Sequence, residues 1–205
     1  DEREKVDTLV NHARAYLYQK GEWTNEKGAF APSLCNRIDR FTGGVVLIAK
    51  TEEALHILDK KIRDREVTKQ YLCIARGHFD RESGLLDGYL THAGRRVQVS
   101  KRPVPGAQRA QTGFRVLEER DGLALLECEL FTGRTHQIRA QLAAAGHPLL
   151  GDGQYGRARE GERQFQALYA YKVTFSFRTD AGCLENLRGQ TFEVRRVPFV
   201  AEYFG

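Results

Sequence analysis

No stretch of these 205 residues approaches the roughly 20 consecutive apolar positions that a bilayer-spanning helix requires, which excludes such a helix. No secretory signal pattern opens the chain, so no export is expected. Cysteine is scarce. Cys35, Cys73, Cys128 and Cys183 lie far apart and form no CxxC pair, so they are expected to be reduced thiols of a cytosolic protein. The six histidines (His12, His56, His78, His92, His136 and His147) lack zinc-ligand spacing with them, and no metal is expected. The phosphate-cradling GxxxxGK[ST] loop is missing, which excludes a P-loop site. Methionine is absent and the chain begins at Asp1, so the natural protein is expected to be longer. Repeats, low-complexity tracts and linkers are also missing. Apolar material is not: hydrophobic residues make up 41% and aromatics 10%, enough for a core without staples and too much for disorder.

The charge leans one way. Net charge is +5, and 23 of the 32 basic residues are Arg. Arginine grips phosphate through a planar fork and stacks on bases, so the bias points toward nucleic acid; the plainer account is a soluble basic surface.

Apolar spacing over 3–18 (Val6, Leu9, Val10, Ala13, Tyr16, Leu17) predicts a helix, followed by a loop over 20–32. Val45–Ala49 is a short β-branched run and predicts one buried strand. Thr51 with Glu52 and Glu53 predicts a helix start, and Leu55, Leu58 and Ile62 supply its buried stripe. From Val67 the period changes to two, with Tyr71, Cys73 and Ala75 on one face and Leu72 and Ile74 on the other. Further strands are predicted at 95–100, 110–118, 123–130, 168–177 and 191–195. One helix is predicted from His136 to Ala145, stopped by Gly146 and Pro148. The sum is a strand-dominated α+β fold.

Two constellations carry chemistry. The first is Asn36-Arg37-Ile38-Asp39-Arg40-Phe41-Thr42-Gly43-Gly44. An acid between two arginines, followed by Thr-Gly-Gly, suits a tight loop that presents a carboxylate beside a phosphate-binding surface. A nearby guanidinium favours the ionised form, which can act as nucleophile or base; the alternative is an Asp that caps a turn. The second is Phe131-Thr132-Gly133-Arg134-Thr135-His136-Gln137-Ile138-Arg139, joining a strand to a helix. Gly133 permits a sharp turn, Thr135 can cap the helix, and the free helix start with Arg134 suits phosphate. Arg139 lies beside an inward-facing Ile138, so its head can reach the strand–helix junction.

Both constellations resemble those of the RluA/RluC-type pseudouridine synthases. The family's [HN]RLDxxT[SG]G followed by an apolar strand and AK stands here as NRIDRFTGGVVLIAK. Its TGRTHQIRxxLxxxGHPxxGDxxYG stands as Thr132–Gly156 with every fixed position matched. Lys69–Gly77 is similar to its KxY strand, and Leu168-Tyr169-Ala170 sits where members have LHA. Asn36 departs from the commoner His, and Gly43 from the commoner Ser.

The resemblance implies an α+β catalytic fold, with a mixed, mostly antiparallel sheet flanked by helices and loops. It implies a single catalytic domain over 1–205, lacking the family's N-terminal strands and any S4-like domain. The implied activity is isomerisation of uridine to pseudouridine in RNA, above all large-subunit ribosomal RNA, with transfer RNA as a second possibility. Asp39 would be the catalytic aspartate, Tyr71 the aromatic residue against the base, and Arg139 the arginine that pairs with Asp39. Arg37 would help the nucleotide leave its stack, and Arg40, Arg134 and His136 complete the expected substrate contacts. The reaction is redox-neutral and needs no external nucleophile, so no cofactor is expected; a cytoplasmic monomer is. Asp152, in Gly-Asp-Gly-Gln-Tyr-Gly, is expected to shape a turn near the cleft. The basic stretch Arg95, Arg96, Lys101, Arg102 and Arg109 is either a solvated surface or an edge for RNA backbone. A non-catalytic RNA-binding factor and a metal-dependent phosphate hydrolase are the rival classes. Intact Asp39, Tyr71 and Arg139 weigh against the first, and the lack of a second carboxylate cluster near Asp39 against the second.

Overall fold

The computed structural model describes residues 7–94, 96–157, 161 and 163–205, in two compact units. Arg95 and residues 3–6 of the first expected helix lie outside the described residues.

The first unit holds the described residues up to Arg37 together with Val46–Val67 and Phe175–Gln190. Its helix α1 spans Leu9–Gln19 and starts where the Thr8 hydroxyl accepts a hydrogen bond from the Asn11 amide. Leu17 is buried on it, while Leu9 and Tyr16 point to solvent. Strand β1 (Ser33–Leu34) pairs antiparallel with β3 (Ile48–Ala49). Helix α2 (Glu52–Arg63) is capped by Thr51, with Glu52 and Glu53 in its first turn, as the residues predict.

The buried stripe of α2 differs from expectation. It is Ala54, Leu58 and Lys61. Lys61 is only 1% exposed because its ammonium donates to Glu66 at 2.8 Å and to the carbonyl and hydroxyl of Thr179 at 2.7 Å each. The Glu66 carboxyl is held down to about 2, chiefly by Lys61. A 3-10 helix over Gly182–Leu187 completes the unit.

The second unit holds Ile38–Val45, Thr68–Thr174 and Thr191–Gly205. Its strands are β2 (Gly43–Gly44), β4 (Val67–Arg76, all but its first residue), β5 (Ser83–Ala93), β6 (Arg96–Ser100), β7 (Gln108–Arg120), β8 (Leu123–Leu130), β9 (Leu168–Phe175, all but its last residue) and β10 (Thr191–Glu193). They form one sheet in the order β10-β9-β4-β8-β7-β5-β6, antiparallel throughout, with β2 added parallel to β9. Helices α3 (Gln137–Ala144) and α4 (Pro198–Tyr203) complete the unit. The fold is thus α+β with a mostly antiparallel sheet.

Alternation along β4 explains why that strand is apolar on both faces. Tyr71, Cys73 and Ala75 pack with Ile138 and Leu142 of α3, whereas Ile74 packs with Phe199 and Phe204 at α4. Burial of Ile138 and Leu142 contributes about 1.5–3 kcal/mol each. The cysteines are all free; Cys73 and Cys128 are buried with their sulfurs 3.7 Å apart.

Two further expectations are corrected, and one strand went unpredicted. Val45–Ala49 is not one strand. The Val45 amide donates to the Ala170 carbonyl, after which the chain leaves the second unit and pairs Ile48–Ala49 with β1. Strand β5 escaped the sequence reading because Gly84 and Gly88 look like turn residues. In the structure a Cβ at Gly84 would meet the Phe114 ring at 2.7 Å, so the glycine makes room for a cross-strand aromatic. Finally, α3 is capped by His136 in the left-handed conformation (φ 51) rather than by Thr135, and His136 makes no side-chain cap bond.

Candidate active site

The Asp39 loop is a tight turn in which the Thr42 amide donates to the Asp39 carbonyl at 3.0 Å. Phe41 occupies its third position at φ 66, where a bulky side chain costs about 1–3 kcal/mol. Buried Gln166 offsets that strain by donating to the Arg40 carbonyl at 2.6 Å and the Thr42 hydroxyl at 3.2 Å. Phe41 also stacks on Phe165 at 3.7 Å. The two glycines that follow have a steric reason. A Cβ at Gly43 would sit 2.6 Å from the Tyr169 ring, and one at Gly44 (φ 122) would collide with the Ala170 carbonyl. Thr-Gly-Gly therefore lets β2 press against β9 and leaves Asp39 at the turn before it.

The opposing cation comes from α3. Its start is pinned by Gln137, which accepts from the Thr132 hydroxyl at 2.7 Å and the Arg134 amide at 3.0 Å, and donates to Gln111 and Thr112. Gln141, one turn on, bonds Thr112, Leu86 and Ala110. Arg139 is only 6% exposed. Its Nη1 donates to Asp39 Oδ2 at 3.3 Å, but its shorter bonds go to Asp152: Nε at 2.7 Å and Nη2 at 3.0 Å. Gln154 accepts from Nη2 at 3.1 Å, and the guanidinium lies 5.2 Å from the Tyr155 ring centre. Burial opposes the charge of Arg139, yet Asp152 and Asp39 together raise its pKa above the ordinary value.

Asp152 was read as a turn former, and it does accept from the Gln154 and Tyr155 amides. Its larger part is that of a buried carboxylate clamping Arg139. The sequence signals for it were a fixed place in the Thr132–Gly156 motif and a charged residue inside an apolar Leu-Leu-Gly context. Tyr155 was passed over altogether; its hydroxyl accepts from the Val97 amide and meets His136 Nδ1 at 2.9 Å.

Tyr71 lies on β4, 5% exposed, opposite Cys128. Burial, and then the nearby Asp39 charge, push its phenol up to about 12, so it holds its proton at neutral pH. Around this centre, Arg40 is exposed with its guanidinium 4.9 Å from the Phe41 ring centre. Arg134 is exposed on the α3 loop, its Nε donating to the Arg109 carbonyl at 3.3 Å. Arg37 is exposed and belongs to the first unit. Of the basic stretch, Arg109 is spent on Asp87 through a two-pronged ion pair, while Arg96, Lys101 and Arg102 are exposed. Among the described residues no group of three His, Cys, Asp or Glu could hold a metal ion, and no helix is long and apolar enough to cross a membrane.

The site is thus a buried arginine shared between an accessible aspartate and a second, buried one, with a tyrosine close enough to feel the first one's charge. The family model described as RNA pseudouridylate synthase matches residues 8–144. The chain belongs to that family. A large-subunit ribosomal pseudouridine synthase D from Zymomonas mobilis is 34% identical over 179 residues, covering 82% of this chain and 55% of the relative. YlyB of Bacillus subtilis, named an uncharacterized RNA pseudouridine synthase, is 32% identical over 168 residues, covering 82% and 54%. A large-subunit ribosomal pseudouridine synthase C from Escherichia coli is 38% identical over 136 residues, covering 64% and 41%. The chain spans about half the length of the first two of these relatives. The fold agrees. Human RNA pseudouridylate synthase domain containing 4 superposes with a TM-score of 0.72 at 21% identity, over 95% of this chain and 81% of that one. This member of the family therefore carries the family's fold.

Proposed function

We propose that this chain is the catalytic part of an enzyme that isomerises uridine to pseudouridine in RNA, with large-subunit ribosomal RNA as its substrate. The observation that carries the reading is the Asp39–Arg139 pair at 3.3 Å, its arginine locked by Asp152 and its aspartate within the field of Tyr71. The reaction breaks the bond between N1 of uracil and C1′ of ribose, turns the base, and forms a bond from C5 to C1′. The C5 proton leaves and N1 gains one, so no electrons are exchanged and no cofactor is required.

Asp39 is the catalytic residue that engages the nucleoside, as nucleophile or base. It is 18% exposed, so a flipped nucleotide can reach it while Arg139 neutralises it from behind. Tyr71 offers a flat ring to the detached base and an O–H that stays a donor. Arg37, Arg40, Arg134 and His136 serve RNA binding, Arg37 by helping the uridine out of its stack. Flipping costs a few kcal/mol, least where the base is unpaired, so loops and bulges are the targets. The +5 charge and Arg excess suit a polyanion, and a cytoplasmic monomer is the working form.

The test is to incubate the protein and Asp39→Asn with transcribed large-subunit ribosomal RNA and map pseudouridine by selective chemical labelling and reverse-transcription stops. Marks that require Asp39 are expected. RNA binding without marks, or marks made equally by Asp39→Asn, would overturn the proposal.

A further inference from the structure

Lys69, the first residue of the Lys69–Gly77 motif, has no part in the site described above. It lies on β4 two positions before Tyr71, on the strand face that carries Tyr71 and Cys73. Its head reaches the loop before α3, where a Cβ on Gly133 would stand 4.0 Å from Nζ. Half-buried as it is, Lys69 makes no hydrogen bond or ion pair among the described residues. Burial alone acts on its charge, pulling the ammonium's pKa below its ordinary value, and no carboxylate contributes. Asp39 is thus not its counter-ion; that part is taken by Arg139.

A partly desolvated ammonium without an anion is costly unless a ligand brings the anion in. Gly133, opposite the ammonium, has no side chain, and the next residue, Arg134, adds an exposed second cation. Uracil offers only neutral carbonyls, which would leave the charge unmatched, whereas each RNA linkage carries a full negative charge.

We propose that Lys69, on the Tyr71 face of β4 and opposite Gly133, seats a phosphodiester of the bound RNA next to the target uridine. This rests on the RNA-modifying reading above and adds the element that fixes the strand's register while the base is extruded. Lys69 is a positioning residue, acting on the backbone and not on the reacting atoms. Its stem covers apolar surface as well, and Lys69→Met keeps that cover while removing the charge.

The probe is a synthetic RNA stem-loop with one unpaired uridine in its loop, with Kd measured across a potassium chloride series. For Lys69→Met the slope of log affinity against log salt should be shallower by about 0.7–0.9, the value of one lost phosphate contact. Its melting temperature should not fall, because an unpaired buried charge has been removed, and Lys69→Arg should keep the wild-type slope. A neutral methylphosphonate on one linkage beside the uridine should weaken the wild type and leave Lys69→Met unaffected. An unchanged slope, or a lower melting temperature with an unchanged slope, would overturn the proposal. So would a case in which inorganic phosphate stabilises the wild type but no single linkage matters, since the seat would then serve a free anion. Pseudouridine formation is scored separately: a slope change without any isomerisation would retire the catalytic reading and keep this one.

Discussion

Asp152→Asn preserves the size of the side chain and one acceptor oxygen but deletes the charge that holds Arg139. Asp152 is 2% exposed and Arg139 6%, so the pair is shielded from water and its loss is not screened away. Of the bonds at 2.7 and 3.0 Å, asparagine can keep one acceptor, without charge assistance. Breaking one side of a buried pair costs about 3–5 kcal/mol, and the retained acceptor places this variant near the lower end. For a chain of this size a loss of about 3 kcal/mol lowers the melting temperature by roughly 6–12 °C. The guanidinium would then be held only by the retained acceptor, by Gln154 at 3.1 Å and by Asp39 at 3.3 Å, and a misplacement of about 1 Å at the proposed catalytic pair can cost roughly a hundredfold in rate. Thermal melts followed by single-turnover pseudouridine assays below the lowered melting point would read both effects. KM should change little while kcat falls, because Asp152 touches Arg139 and not the RNA. A variant that melts with the wild type and keeps its kcat would refute the clamp.

Gly44→Ala should destabilise the protein by at least about 2 kcal/mol, because alanine is strained at φ 122 and its methyl collides with the Ala170 carbonyl. Urea unfolding would check it, and a loss under 0.5 kcal/mol, within the range of an ordinary surface change, would contradict it. Tyr71→Ala should weaken binding of a loop uridine by about 1–3 kcal/mol through lost stacking, while Tyr71→Phe should bind as the wild type does. Because Tyr71 is held near 12, the wild-type rate should show no Tyr71 limb over pH ~8–10, and a limb there that vanishes in Tyr71→Phe would contradict the shift. Glu66 titrates near 2 when folded and ordinarily near 4.5, so its contribution is complete above 4.5 and is lost as pH falls through 2. The stability gap between wild type and Glu66→Gln should accordingly narrow with acidification, and a constant gap would count against the buried Lys61–Glu66 pair.

What could be read in advance depended on whether local chemistry and tertiary packing agreed. Helix α2 was legible because Thr51, Glu52 and Glu53 satisfy its free amides and its dipole whatever surrounds them. Strand β4 was legible because its run of Val, Tyr, Leu, Cys and Ile suits a strand buried on both faces, whatever packs against it. Strand β5 was not, since Gly84 and Gly88 serve neighbours across the sheet, Phe114 and Ser100, that no local pattern reveals. Lys61 had no place in the expected stripe, and its burial is made tolerable by Glu66 just past the helix and by Thr179, 118 residues further along the chain. In the site, the nearness of Asp39 and Arg139, 100 residues apart, followed from the resemblance and not from spacing. The clamp by Asp152 stayed hidden because an aspartate between glycines has the same signature whether it caps a turn or buries an ion pair; here it does both.

The most direct measurement follows the hydrogen that the isomerisation must expel. With RNA carrying tritium at C5 of uridine, the wild-type protein should release tritium to water, while Asp39→Asn binds the same RNA with similar affinity and releases none. Tritium release by Asp39→Asn at the wild-type rate would contradict the account.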